Sequence, residues 1–197
     1  MKKYGIIWKL KQGPTYVLSY IRGWLQTILV QGVAKTVGVV AATSSTEVLV
    51  IRKDGSIEDY GVTSRRVVTD DFVGFIVDAM DTAQATFDDF DFGGFGTGTT
   101  AEAAADTGLV TELTTQYATD NVRPTGTISQ PAANQFRIVV TLSPDATVTV
   151  QEYGTFTSAT AGAGNGTMID RALTGAQALV SGDSLQVTQT ISFTSGG

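Results

Sequence analysis

The sequence predicts a mainly β protein: an antiparallel β-sandwich over residues 88–197, preceded by an N-terminal extended or helical arm (residues 1–46) and by a β-hairpin plus one helix (residues 47–87). Three observations carry this. Beyond Phe87, apolar residues recur at every second position, as strands with one buried face require. The runs are short and punctuated by turn-forming clusters, with no long helix between them, which favours an antiparallel sandwich over a βαβ fold. The chain of 197 residues contains 22 glycines and 42% hydrophobic but only 16% charged residues. That is apolar enough to bury a core and too apolar for a disordered chain.

The elements follow in order. Met1 to Leu10 lacks the apolar core and small-residue cleavage site of a secretory signal, so none is expected. From Tyr16 to Ala42 the chain is densely apolar, and Val17, Ile21, Trp24, Leu25 and Ile28 fit one helical face. Arg22, Gln26, Gln31 and Lys35 interrupt the run, which falls short of a membrane span; it reads first as an element buried against partner subunits, second as a local core element and last as a membrane anchor. Val48–Arg52 and Ile57–Val62 flank Asp54-Gly55, a hairpin signal in which both turn positions are expected to take positive φ. A helix follows: Thr69 caps it, Asp70 and Asp71 suit its first turn, and Phe72, Phe75, Ile76, Ala79, Met80 and Ala83 form its buried face, ending near Ala85.

Strands are then expected over Thr125–Ile128, from Phe136 to Leu142, over Thr147–Phe156 and Met168–Leu173, and from Leu185 to Phe193. Phe136, Ile138, Val140, Leu185, Val187, Ile191 and Phe193 should face the core, with Gln189 interrupting that face.

Composition excludes several chemistries. There is no cysteine and no histidine, which removes disulfides, thiolate and imidazole metal ligands, and Ser-His-Asp or Cys-His catalysis. Gly94-Phe-Gly-Thr-Gly-Thr-Thr resembles a phosphate loop, but it lacks the Gly-Lys-Ser/Thr ending and reads as a tight glycine crossing between packed strands. Thr99-Thr-Ala-Glu102 has capping-box spacing for one or two helical turns through Ala105. Asp88-Asp89-Phe90-Asp91 lacks the rest of a calcium loop and reads as a solvated acidic turn. Nothing local marks Glu102, Glu112 or Glu152 as a catalytic pair, and Glu152 reads as a hydrogen-bond acceptor for a neighbouring loop. No enzyme activity, cofactor or metal is expected.

Charge is divided unevenly. Residues 1–66 hold ten basic and four acidic groups, and residues 67–197 hold three basic and fifteen acidic ones, within a net charge of −6. An acidic head repels phosphates, so no specific nucleic-acid partner is expected. A basic, apolar arm on an acidic head suits an assembly element. Trp24, Leu25, Ile28 and Leu29 would supply buried area there, and Lys2, Lys3, Lys9 and Lys11 would steer it to an acidic partner.

The run from Phe92-Gly-Gly-Phe-Gly-Thr-Gly-Thr-Thr-Ala-Glu102 through Leu113 resembles a family of structural proteins of tailed-bacteriophage particles. Arg123-Pro-Thr-Gly-Thr127, Val148-Thr-Val-Gln-Glu-Tyr-Gly-Thr-Phe156, Met168-Ile-Asp-Arg171 and Ser181-Gly-Asp-Ser-Leu-Gln-Val187 fit the same pattern in the same order. The resemblance spans residues 47–197 and leaves the first 46 residues outside it. It implies a virion component built on a β-sandwich and carries over no catalytic site. The expected role is capsid-associated, a decoration or cement protein or a head-fibre base, acting by subunit–subunit burial. The expected partners are other virion subunits and further copies of the chain. A tail, neck or baseplate component is the alternative within the particle. A receptor- or glycan-binding module is the alternative from another class, although Trp8 and Trp24 both lie away from the sandwich loops.

Overall fold

The computed structural model describes residues 40–80 and 90–195. Eight strands and one helix follow in the order β1 (Ala41–Ile51), β2 (Ile57–Val67), α1 (Asp70–Met80), β3 (Phe92–Gly96), β4 (Thr127–Ala132), β5 (Gln135–Leu142), β6 (Val148–Phe156), β7 (Met168–Leu179) and β8 (Ser184–Thr194). They form a five-stranded sheet, ordered β2-β1-β8-β5-β4, and a three-stranded sheet, ordered β3-β6-β7. Every pairing is antiparallel. The mainly β, antiparallel sandwich expected from the sequence is the fold observed.

The period-two pattern explains how the sheets meet. Ile138, Val140 and Leu142 of β5, and Leu185 and Val187 of β8, point inward and are fully buried. With Val48 and Val50 of β1 they pack against Phe95, Val150, Tyr153 and Leu179 of the smaller sheet. Phe136 and Phe193 are half-buried at the edge of a second cluster formed by Val68, Phe72, Phe90, Ile169 and Ile191. Gln189, the polar interruption, is buried too. It accepts a hydrogen bond from Thr155 Oγ1 at 2.5 Å and donates one to Ser44 Oγ at 3.2 Å.

The hairpin is longer than the sequence suggested. β1 begins at Ala41 and pairs along its whole length with β8. Residues 41–46, grouped with the arm on sequence, are therefore strand, and the hairpin shares one sheet with the C-terminal strands. The turn also differs. Gly55 alone takes the left-handed region, at φ 84°. Asp54 instead accepts hydrogen bonds from Ser56 N at 2.9 Å and Ser56 Oγ at 2.7 Å. This local bonding gives a three-residue loop closed by a glycine in place of a two-residue turn.

α1 starts where expected. Thr69 Oγ1 accepts from Phe72 N at 3.2 Å, and Asp70 and Asp71 occupy the first turn. Phe72 is buried and meets Phe90 edge-on at a 5.3 Å centroid distance. Met80, expected inside, is exposed. Ala83 and the expected helix end at Ala85 lie outside the described residues.

Candidate functional site

Trp24, Leu25, Ile28, Leu29, Lys2, Lys3, Lys9 and Lys11, expected to meet a partner, lie outside the described residues, as do Asp88 and Asp89. Inside the described head, the polar chemistry gathers in three clusters of charged side chains, each buried and each tying an irregular segment to the sandwich.

The first cluster is centred on Glu152 of β6, which is 0% exposed. Its Oε1 accepts from Gly98 N at 3.0 Å and Thr111 N at 2.8 Å. Its Oε2 accepts from Val110 N at 3.0 Å and Arg171 Nη1 at 3.1 Å. Arg171, on the adjacent strand β7, turns its remaining donors to the same segment. Nε meets Asp106 Oδ2 at 2.8 Å, and Nη2 meets Thr100 O at 3.0 Å and Ala101 O at 2.9 Å. The glycine string thus does meet an anion, through the single backbone N–H of Gly98, but the anion is the chain's own carboxylate. A Cβ at Gly96 or Gly98 would sit 2.5 Å from Glu152 Oε1, so only glycine admits this approach. β3 itself, Phe92–Gly96, is a strand where the sequence suggested only a crossing, because its glycines mask the period-two pattern.

The second cluster is a forked pair. Arg123 Nε lies 2.6 Å from Glu112 Oε1, and Nη2 lies 2.9 Å from Oε2. Arg123 Nη1 donates to Ser158 O at 2.9 Å and Asn165 O at 2.8 Å, and its Cζ stands 3.6 Å from the centre of the Phe156 ring. Glu112 also accepts from Gly162 N at 2.8 Å. Three loops are joined through one guanidinium, whose planar fork fits two carbonyls and a carboxylate at once.

The third cluster runs through the interior. Arg66 Nη1 at the end of β2 lies 3.0 Å from Glu102 Oε2, and Glu102 Oε1 accepts from Leu173 N at 2.9 Å. Glu102 therefore satisfies an open strand edge. This is why Thr99–Ala105 is an irregular loop and not the helical turns its capping-box spacing suggested: the box glutamate is taken by Arg66 and β7. Asp170 of β7 lies beside Arg66 and Ser44, and burial pushes its carboxyl up to about 7 against the pull of Arg66. Its Oδ2 has no hydrogen-bond partner. One cation thus faces two acids, and a proton on Asp170 would balance the cluster.

Outside these, Arg52 forks onto Glu58 at 2.8 Å for each nitrogen and reaches Asp183 at 3.1 Å. Asp183 also accepts from Lys53 N at 3.0 Å and Val180 N at 3.1 Å, tying the hairpin tip to the β7–β8 turn. The Arg52 hydrogen bond holds the Glu58 carboxyl below its ordinary range.

Comparison with family models, with curated proteins and with solved structures gave no significant match to this chain.

Chemically, the carboxylates of Glu102, Glu112 and Glu152 are each already engaged by an arginine and by backbone N–H groups. Glu102, Glu112 and Glu152 hold chain segments; none presents a free lone pair to a cleft. No group of three metal-ligating side chains occurs among the described residues, and no described helix is long and apolar enough to cross a membrane. Sequence reasoning placed Glu152 correctly as an acceptor for a loop but missed its partners. A signal existed: residues 67–197 hold only Arg123, Arg137 and Arg171 as bases. An isolated arginine in a sparsely charged β domain is a candidate for a buried pair.

Proposed function

We propose that this protein is a structural component of a tailed-phage particle, associated with the capsid, which acts by burying surface between subunits and has no catalytic role. The observation that carries this reading is the direction in which the shared pattern points. Each of the five segments that carry the resemblance contributes a charged residue to a tie within the fold: Glu102, Asp106 and Glu112; Arg123; Glu152; Arg171; and Asp183. A pattern whose charged members are spent on ties within the fold marks a scaffold, not a reaction.

The division of charge supports the same reading. Residues 1–39 carry Lys2, Lys3, Lys9, Lys11, Arg22 and Lys35 and no acid. The acidic sandwich would face outward while this basic, apolar segment lies against acidic surfaces of neighbouring subunits. Burial contributes about 25 cal/mol per Å² of apolar surface, so modest contacts repeated over many copies reinforce a shell.

The test is composition. Particles made by the genome that encodes the chain should contain it, at a copy number that scales with shell subunits, and a label at Gly197 should decorate the head. A count fixed by the single tail axis would move the protein to the tail, neck or baseplate. Absence from purified particles would sink the reading.

A further inference from the structure

We propose that in the free protein residues 17–29 of the same chain dock on the outer face of α1 and over the apolar cavity beside it, sheltering the arm until assembly. The docking concerns the free chain and is tested there; its release on assembly rests on the particle reading.

The receiving surface is apolar and incomplete. A cavity of about 60 Å³ opens between Phe72, Phe90, Phe136, Ile169, Ile191 and Phe193, with no polar atom in its lining. Helix α1, whose Phe72 lines that cavity, is apolar on more than its inner side. Val73, Val77 and Met80 recur at the spacing of one helical stripe, yet they are 49%, 61% and 79% exposed. A helix that is apolar on both its inner and outer faces is ordinarily covered on both. Exposed acids, Asp70, Asp71 and Asp78, border the stripe.

The occupant is identified by chemistry and by reach. A ligand for this surface must be apolar along one side and basic beside it. Residues 17–29 supply Val17, Ile21, Trp24, Leu25 and Ile28 at helical spacing, with Arg22 among them and Lys9 and Lys11 just before. The chain joins the head at the cavity itself: Ala42, the second residue of β1, packs on the same cluster and pairs with Phe193 in its wall. The eleven residues between Leu29 and Ala41 can span up to about 40 Å, more than twice the length of about 16 Å that an eleven-residue helix has. A tether of that length holds the segment at an effective concentration near millimolar. Its own arm therefore outcompetes the arm of a second copy in dilute solution. Assembly would then exchange this contact for one on a partner.

The chain has no cysteine, so introduced pairs report proximity cleanly. Full-length protein carrying Leu25→Cys with Val77→Cys, and Ile28→Cys with Met80→Cys, should oxidise to intrachain disulfides in at least one pair. A control pair, Leu25→Cys with Thr141→Cys at the opposite end of β5, should not. Mixing single-cysteine variants should give few interchain disulfides. If the mixture cross-links as fast as the double variant, the surface serves a second copy and the proposal fails; if neither cross-links, it fails as well. A second readout uses Trp24 alone, in Trp8→Phe protein. Its emission should be blue-shifted and should move to the red when Val77→Asp and Met80→Asp are added, with the far-ultraviolet β signal unchanged. An unmoved emission maximum overturns the docking.

Discussion

Glu152 accepts three backbone N–H groups and one guanidinium donor while fully buried. Removing it orphans all four and leaves Arg171 with a cationic donor facing a dry interior. Glu152→Ala should therefore lower stability by about 3–5 kcal/mol, the range for breaking a buried pair on one side. A Glu152→Leu, Arg171→Met double variant should recover part of that, since it buries no unpaired charge. Urea unfolding of the parent, of Glu152→Leu, of Arg171→Met and of the double closes the cycle. Strict additivity would mean the two side chains act independently. Asp170 makes the second prediction at this scale. It faces Arg66 from β2 and Glu102 from the 97–126 segment, and its folded pKa is raised to about 7 by burial. Below the unfolded value near 4 both states hold the proton. Between that pH and about 7 the folded state keeps a proton that the unfolded chain releases. Stability should thus fall as pH rises through this window and level off above it. Asp170→Asn should flatten this fall, which thermal melts at pH 5 and pH 8 would reveal.

At the scale of elements, the described strands were legible where side chains carry the period. β5 and β8 could be read from Ile138, Val140, Leu185 and Val187, because alternation is a direct image of one buried face. β3 could not, because glycines carry no side chain to alternate. Glu102 misled for a different reason: local spacing offered a capping box, but a long-range partner, Arg66, holds the carboxylate better. The ion-pair clusters were only half legible, since a charged residue's sequence neighbourhood does not say which distant segment it meets. Helix α1 shows local and tertiary bonding joined in one residue. Thr69 Oγ1 caps the helix and also donates to the β7 carbonyls, to Met168 O at 2.5 Å and Ile169 O at 3.1 Å. Thr69→Ala should cost about 1–2 kcal/mol, above an ordinary exposed cap, because a buried carbonyl loses its donor as well. Thr69→Ser should restore most of that loss. Hydrogen exchange of the Phe72 amide would show whether the first turn frays.

At the scale of the whole molecule, the question is where the arm ends and the head begins. β1 pairs with β8 from Ala41 onward, and with β2 on its other side from Thr43 onward. Ser44 and Thr46 lie inside the sandwich, Ser44 bonded to Gln189. A head lacking residues 1–39 therefore keeps every described strand, every ion pair among the described residues and both core clusters. It should remain folded, with a melting temperature within a few degrees of the full chain. A head lacking residues 1–46 loses over half of the interior strand β1, which lies between β2 and β8 in a five-stranded sheet. That truncation exposes two flanking ladders and opens the Gln189 bonding, so it should lose most of its cooperative unfolding. Circular dichroism melts of the two truncations separate these cases across only seven residues. If both unfold, residues before 40 are part of the core; if both stay folded, the N-terminal half of β1 is dispensable. If only the shorter deletion is tolerated, as the pairing demands, that protein is also the reagent for function: a complete acidic head without the basic segment, which on the particle reading should no longer incorporate.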